Sequence, residues 1–203
     1  MKNQFKHLIS LSCLGSLLLG VSQFALAHGY TTEPPSRAYL CSVRNTTELK
    51  NTGCGNQVPY DPHSFEAPKG FPEAGPADGV IASAAIAAHS EMDEQSPTRW
   101  VKSELKTGKN TFAWYLTVVH STDSWRYFIT KSDWDPSQPL TRDSFDLTPF
   151  CVKYENGVRP PVVTEIECDV PKDRSGYHVI LAVWDVYDTS NAFYQVSDVN
   201  ISD

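Results

Sequence analysis

The sequence predicts an all-β protein, an antiparallel sandwich with a long, partly helical loop inserted after its first strand. Three observations carry this. From about Trp100 onward, apolar residues recur with period two. The run Thr111-Phe112-Ala113-Trp114-Tyr115-Leu116-Thr117-Val118-Val119-His120 puts Phe112, Trp114, Leu116 and Val118 on one face. Turn signals at Asn156-Gly157, Arg174-Ser175-Gly176 and Asp188-Thr189-Ser190 divide the β-rich runs. No helical pattern alternates with those runs, which argues against a parallel sheet.

Taken in order, the chain opens with a targeting segment, Met1 to Ala27. Lys2 and Lys6 form a basic start, and Leu8 to Ala27 carry an apolar run with no acidic residue. Ser10, Ser12, Ser16, Ser22 and Gln23 interrupt the run, which argues against a membrane anchor. Lipoprotein processing at Cys13 would find Ser10, not leucine, three residues upstream. Ala25-Leu26-Ala27 reads as a small-x-small cleavage site, so secretion is expected to leave His28 as the first residue. Removing 27 of 203 residues leaves 176, enough for one domain, 28–203, with a real core. Without Lys2 and Lys6, 15 basic residues face 24 acidic ones, a net charge of −9. That balance argues against nucleic acid and anionic membranes as partners, and permits a neutral polysaccharide bound by a monomer.

Residues 28–40 read as a first strand or extended arm, where Pro34-Pro35 blocks helix and suits an edge. Residues 41–99 hold six prolines and read as a long structured loop, with Phe65 and Phe71 to bury. Within it, alanine-rich Val80 to Glu94 predicts a helix with Asp78 as N-cap. Strands are expected at Thr111–His120, Trp125–Lys131, Ser144–Val152, Tyr177–Tyr187 and Ala192–Ile201. Four cysteines remain after cleavage: Cys41, Cys54, Cys151 and Cys168. An even number in a secreted chain implies two disulfides, with three possible connectivities. The sequence-local pairing Cys41–Cys54 and Cys151–Cys168 is preferred. A cysteine zinc site lacks any CxxC pair.

Chemistry concentrates at His28. A free N-terminal histidine offers an amine and an imidazole from one residue, both able to hold one metal ion. The α-amino group, with a pKa of about 7.7, is readily deprotonated at neutral pH. His120 closes its strand on the parity of the core-facing residues, which places a second imidazole at the rim. Three nitrogens suit copper and leave a position open for dioxygen, peroxide or water. His63 lies in the proline-rich loop, His89 is expected to be solvated on the helix, and His178 is expected in the core.

Several motifs stand in order: His28-Gly29-Tyr30, Lys69-Gly70-Phe71-Pro72 with Ala74-Gly75-Pro76-Ala77-Asp78-Gly79, and His120-Ser121-Thr122 followed by Trp125-Arg126-Tyr127-Phe128-Ile129-Thr130. Leu147-Thr148-Pro149-Phe150-Cys151 and Asn191-Ala192-Phe193-Tyr194-Gln195 complete them. On these residues the mature chain resembles the bacterial lytic polysaccharide monooxygenases, most closely the small single-domain chitin-binding kind. The resemblance implies an immunoglobulin or fibronectin III-like sandwich. It implies a copper brace of the His28 amine, one His28 ring nitrogen and one His120 ring nitrogen. It maps Phe193 beside the axial metal position and Glu66 onto a carboxylate that positions the oxygen species. Tyr60, Asp61, Pro62, Glu66, Thr117, Asp188 and Asn191 map onto a flat substrate face. The family has alanine two residues before the second histidine, whereas Val118 stands here and puts regioselectivity in question. The implied activity is oxidative cleavage of crystalline chitin at C1, with an external electron donor. The competing readings are a non-catalytic chitin or N-acetylglucosamine adhesin and a cellulose-active monooxygenase.

Overall fold

The computed structural model describes residues 27–203. The targeting segment therefore lies outside the described residues, apart from Ala27. In chain order the strands are β1 His28–Glu33, β2 Glu66–Pro68, β3 Ser103–Lys106, β4 Gly108–Val118, β5 Thr122–Ile129, β6 Cys151–Tyr154, β7 Val163–Val170, β8 Gly176–Val186 and β9 Asn191–Ser202. One α-helix, α1, spans Arg37–Cys41. One sheet has three antiparallel strands in the order β1-β4-β7. The other runs β2-β9-β8-β5-β6 antiparallel, with β3 alongside β9 in parallel. The two sheets form the expected sandwich.

Phe112, Trp114 and Leu116 of β4 pack across the sheet interface on Trp125, Tyr127, Ile180 and Trp184. Trp125 and Trp184 stack with ring centroids 5.2 Å apart. Burying a side chain such as Phe112 contributes about 1.5–3 kcal/mol. The opposite face of the larger sheet is not solvated. Phe65, Phe71, Ile81 and Met92 from the long loop cover Phe128, Val179, Leu181, Val183 and Tyr194. The loop is thus a third layer. Because β8 lies between two cores, it is buried on both sides, which is why its sequence is almost continuously apolar.

Polar anchors fix the third layer to the sheet. Arg37 donates through Nε to Asp198 Oδ2 at 2.7 Å and through Nη1 to Met92 O at 2.9 Å. Tyr177 donates to Asp198 Oδ1 at 2.7 Å. Arg126 pairs with Asp185 at 2.7 Å and donates to Phe71 O in the loop. Buried charges are tolerated only when matched in this way. The disulfides are Cys41–Cys54 and Cys151–Cys168, the sequence-local pairing. The first closes a loop within the third layer. The second joins β6 to β7, edge of one sheet to edge of the other. Each contributes about 3 kcal/mol in the chain-entropy account.

Several expectations are corrected. The predicted arm over 28–40 ends at Glu33. Ser36 then caps α1, its hydroxyl accepting from Tyr39 N at 3.2 Å. β1 is indeed an edge strand. The alanine-rich helix over 80–94 does not form. Ala84 and Ala85 take positive φ, and only a 3-10 turn spans Ala87–Asp93. Asp78 caps no helix there. It accepts instead from the Arg142 backbone and pairs with that guanidinium at 2.7 Å. The strand expected over 144–152 is confined to Cys151–Tyr154. β7 is a strand that the sequence reading leaves out, although Thr164, Ile166, Cys168 and Val170 alternate inward without a break. Val118 does not share the core face of Phe112, Trp114 and Leu116, for it is 39% exposed. His89 is not solvated. It is buried and stacks on Phe65 with centroids 4.3 Å apart. His178 is in the core as expected, bonded to Thr130 Oγ1 at 2.9 Å.

Candidate functional site

One end of the sandwich gathers most of the singled-out residues. β1 begins at His28, whose Cα pairs with that of Val118 at the end of β4. Gly29 makes this approach possible, since a Cβ there would lie 2.8 Å from Leu116 Cδ2 and 3.1 Å from Tyr115 O. The Gly29 N–H donates to His63 O at 3.1 Å, which ties the third layer to β1 beside His28. The His63 ring meets the His28 ring edge to face, with centroids 5.2 Å apart. Phe193 of β9 lies 6.1 Å from the His28 ring and is fully buried.

His120 lies just beyond β4, in the connection to β5, rather than within the strand. It follows by two residues the position paired with His28. The connection is pinned to the core through Thr122. Its hydroxyl donates to His120 O at 3.1 Å and accepts from Trp184 Nε1 at 2.8 Å. His120 Nδ1 lies 3.1 Å from Asp188 Oδ1, though off the line that an N–H bond requires. A carboxylate on one ring nitrogen selects the other for an outside ligand.

β2 brings Glu66 into register with Phe193. The Glu66 carboxylate accepts from Asn191 Nδ2 at 2.8 Å. Asp61 Oδ1 accepts from Ser64 Oγ at 2.5 Å and lies 3.3 Å from His63 Nε2. Burial pushes the His63 imidazole below its ordinary pKa, a push that Asp61 opposes and His28 and Arg44 reinforce. Pro62 is buried, and its carbonyl accepts from Gln195 Nε2 at 3.0 Å. Tyr60 stands out at 70% exposure. Asp188 is exposed and Asn191 half-buried. The Thr117 hydroxyl is buried without a partner.

The geometry therefore brings together His28 with Phe193, Glu66 with Asn191, and His120 with Asp188. Two participants escaped the sequence reading. Gln195 follows Phe193 by two residues on β9, so strand parity would have placed it on the same side. His63, which the sequence places only in the proline-rich loop, has no ligand partner at short spacing. Its proximity to His28 arises from a contact across 34 residues that no local pattern reports.

A metal can be tested against this donor set. His28 Nδ1 is buried and has no hydrogen-bond partner. An orphaned buried nitrogen costs about 1–3 kcal/mol unless something engages it. Among the described residues, no three His, Cys, Asp or Glu side chains cluster to hold an ion. A site drawing on two imidazoles and an α-amine would need no such cluster, and the unpartnered His28 ring nitrogen is a donor it could use. Among the described residues no helix is long and apolar enough to cross a membrane.

Comparison with known proteins adds the following. Residues 28–199 match the family described as lytic polysaccharide mono-oxygenase, cellulose-degrading. GlcNAc-binding protein A of Shewanella oneidensis is 53% identical over 182 residues, covering 90% of this chain and 37% of that protein. Its namesake in Vibrio cholerae is 48% identical over 195 residues, 93% and 40% of the respective chains. The chain thus spans about two fifths of the length of these curated relatives. An AA10 monooxygenase from Photorhabdus luminescens superimposes with a TM-score of 0.83 at 48% identity, covering 86% of this chain and 99% of the other. A Bacillus amyloliquefaciens CBM33 solved in complex with Cu(I) gives 0.76 at 43% identity, covering 86% and 100%.

Proposed function

The chain belongs to the lytic polysaccharide monooxygenase family, and from that premise we propose that it is a secreted copper enzyme that binds crystalline chitin and cleaves it by oxidation at C1. Residues 1–27 are then the signal peptide and 28–203 the working domain. The observation that supports this most is the partnerless buried Nδ1 of His28 at the head of β1, with Phe193 beside it. In the uncut chain the His28 nitrogen is a peptide amide. Cleavage after Ala27 turns it into an amine that gives up its proton at little cost near neutral pH. The amine, one His28 ring nitrogen and one His120 ring nitrogen would hold the ion. Bound there, copper supplies one-electron chemistry that lets O2 or H2O2, with electrons from an external donor, hydroxylate a C–H bond beside the glycosidic link.

The chain's own residues do the rest. Asp188 sits 3.1 Å from His120 Nδ1 without bonding it, and Nε2 is the ring nitrogen that would face the ion. The buried Phe193 ring shuts out water and a further ligand on its side. Glu66, tethered through Oε1 by Asn191, holds or hands on a proton at Oε2. Tyr60 offers an exposed ring for a sugar face to stack on. Asp61, Asp188 and Asn191 offer hydrogen bonds to hydroxyl and acetamido groups, whereas Pro62 and the Thr117 hydroxyl, expected on that face, are buried. Val118, exposed and in register with His28, narrows the approach on the β4 side and biases which carbon is reached.

A second reading rests on the relatives' names, which speak of N-acetylglucosamine binding. The protein would then be an adhesin without catalysis. Mass spectrometry of β-chitin incubated with copper-loaded protein and ascorbate separates the two. Oligosaccharides heavier by one oxygen atom are expected. Retained binding with no oxidised product would leave the adhesin standing. Oxidised products from cellulose but not chitin would move the substrate to the polymer in the family's description.

A further inference from the structure

We propose that Tyr187, on the His120 side of the candidate copper site, is a second sugar-binding platform besides Tyr60. The proposal deepens the polysaccharide-binding reading and rests on it. Tyr187 follows β8 and immediately precedes Asp188, the residue whose carboxylate faces His120. Its N–H donates to Ser121 O at 2.8 Å, the carbonyl next to His120. Its backbone is therefore fixed beside the second imidazole. Tyr187 is nonetheless 54% exposed.

The ring is held rather than loose. It lies flat against Gly157, where an added Cβ would sit 3.1 to 3.3 Å from Cε1, Cδ1 and Cζ. Gly157 also takes φ +93, so the turn both requires a glycine and uses its missing side chain as a seat. The seat is itself rigid. Gly157 N donates to Thr122 O at 2.8 Å, and Thr122 N donates to Val158 O at 3.0 Å. Val158, 59% exposed, extends the apolar surface beyond the ring.

A tyrosine whose ring is already packed on one side yet stays exposed loses little rotamer freedom when it binds, which is how aromatic anchors gain affinity. Tyr60 approaches the site from the third layer, through the segment whose His63 carbonyl bonds β1. Tyr187 approaches from the β8 end. The two exposed rings thus come from segments tied to the two histidines' own neighbours, one at Gly29 and the other at Ser121. An isolated soluble chain can use one platform, whereas a crystalline surface presents sugars on both sides of the cut. The occupant of the Tyr187 platform is accordingly a pyranose of the same polymer surface.

The test uses the secreted chain with its free amino terminus, β-chitin particles, and copper titrated separately. Tyr187→Ala is expected to raise the dissociation constant for β-chitin about tenfold, the loss that follows truncation of an anchoring tyrosine. Tyr187→Phe should bind like wild type. Copper affinity and the Cu(II) paramagnetic spectrum should be unchanged in both. Wild-type retention of Tyr187→Ala on β-chitin overturns the platform alone. A weakened copper affinity in Tyr187→Ala would also overturn it, assigning the residue to support of His120. If wild type itself binds no β-chitin, the polysaccharide reading falls, and the platform with it.

Discussion

The two faces of the larger sheet are both buried, yet they are held by different forces. Between the sheets, Trp114, Trp125, Trp184 and Phe112 pack with few polar partners, the bonds from Trp114 Nε1 to Tyr127 OH and from Trp184 Nε1 to Thr122 Oγ1. On the other face, a proline-punctuated layer, closed within itself by a disulfide, is fastened to the sheet by Arg37–Asp198 and by Arg126, which pairs with Asp185 and bonds Phe71 O. The candidate site straddles this divide. His28, His120 and Phe193 belong to the sandwich, while Tyr60, Asp61, His63 and Glu66 arrive with the layer. On the proposed reading, metal binding belongs to the first region, whereas substrate contact is shared, with Tyr60 and Asp61 from the layer and Asp188 and Asn191 from the sandwich.

Substitutions on either side test the division. His120→Ala should lower copper affinity by about a thousandfold or more, roughly 4 kcal/mol, with the melting temperature of the metal-free protein unchanged. Isothermal titration with Cu(II) reads this, and unaltered affinity would remove His120 from the brace. Asp198→Ala leaves the Arg37 guanidinium buried and unpaired, at a cost of about 3–5 kcal/mol of stability. Chemical denaturation should show that loss. If metal binding in the still-folded protein also collapsed, the two regions would not be separable. The smallest effect is expected of Tyr60→Ala, whose affinity for β-chitin should fall by about 1–2 kcal/mol with copper binding intact. Equal retention on β-chitin would take Tyr60 off the face.

The same divide governs what could be read from residues alone. The sandwich strands announce themselves through period-two patterning, and β4 and β9 lie close to their expected bounds. The cysteine pairs were legible too, whereas the grouping of His28 with Phe193 rests on the family resemblance and on no spacing in the chain. The third layer was not, because its buried residues follow no period. Alanine's helix preference over 80–94 yields to packing, which buries Ile81, Ala82 and Ala84 and forces positive φ at Ala84 and Ala85. His89 and His63 take their places through contacts with Phe65 and His28 that only the folded layer creates. β7 is the exception. Its alternation was visible, but its outward glutamates and aspartate masked four inward residues.

The most direct test is N-terminal sequencing of the exported protein together with its copper stoichiometry. A chain beginning at His28 that takes up one tight equivalent of Cu(II) is the expected result. A chain beginning elsewhere, or one that begins at His28 and binds no copper tightly, would contradict the brace on which the proposed chemistry depends.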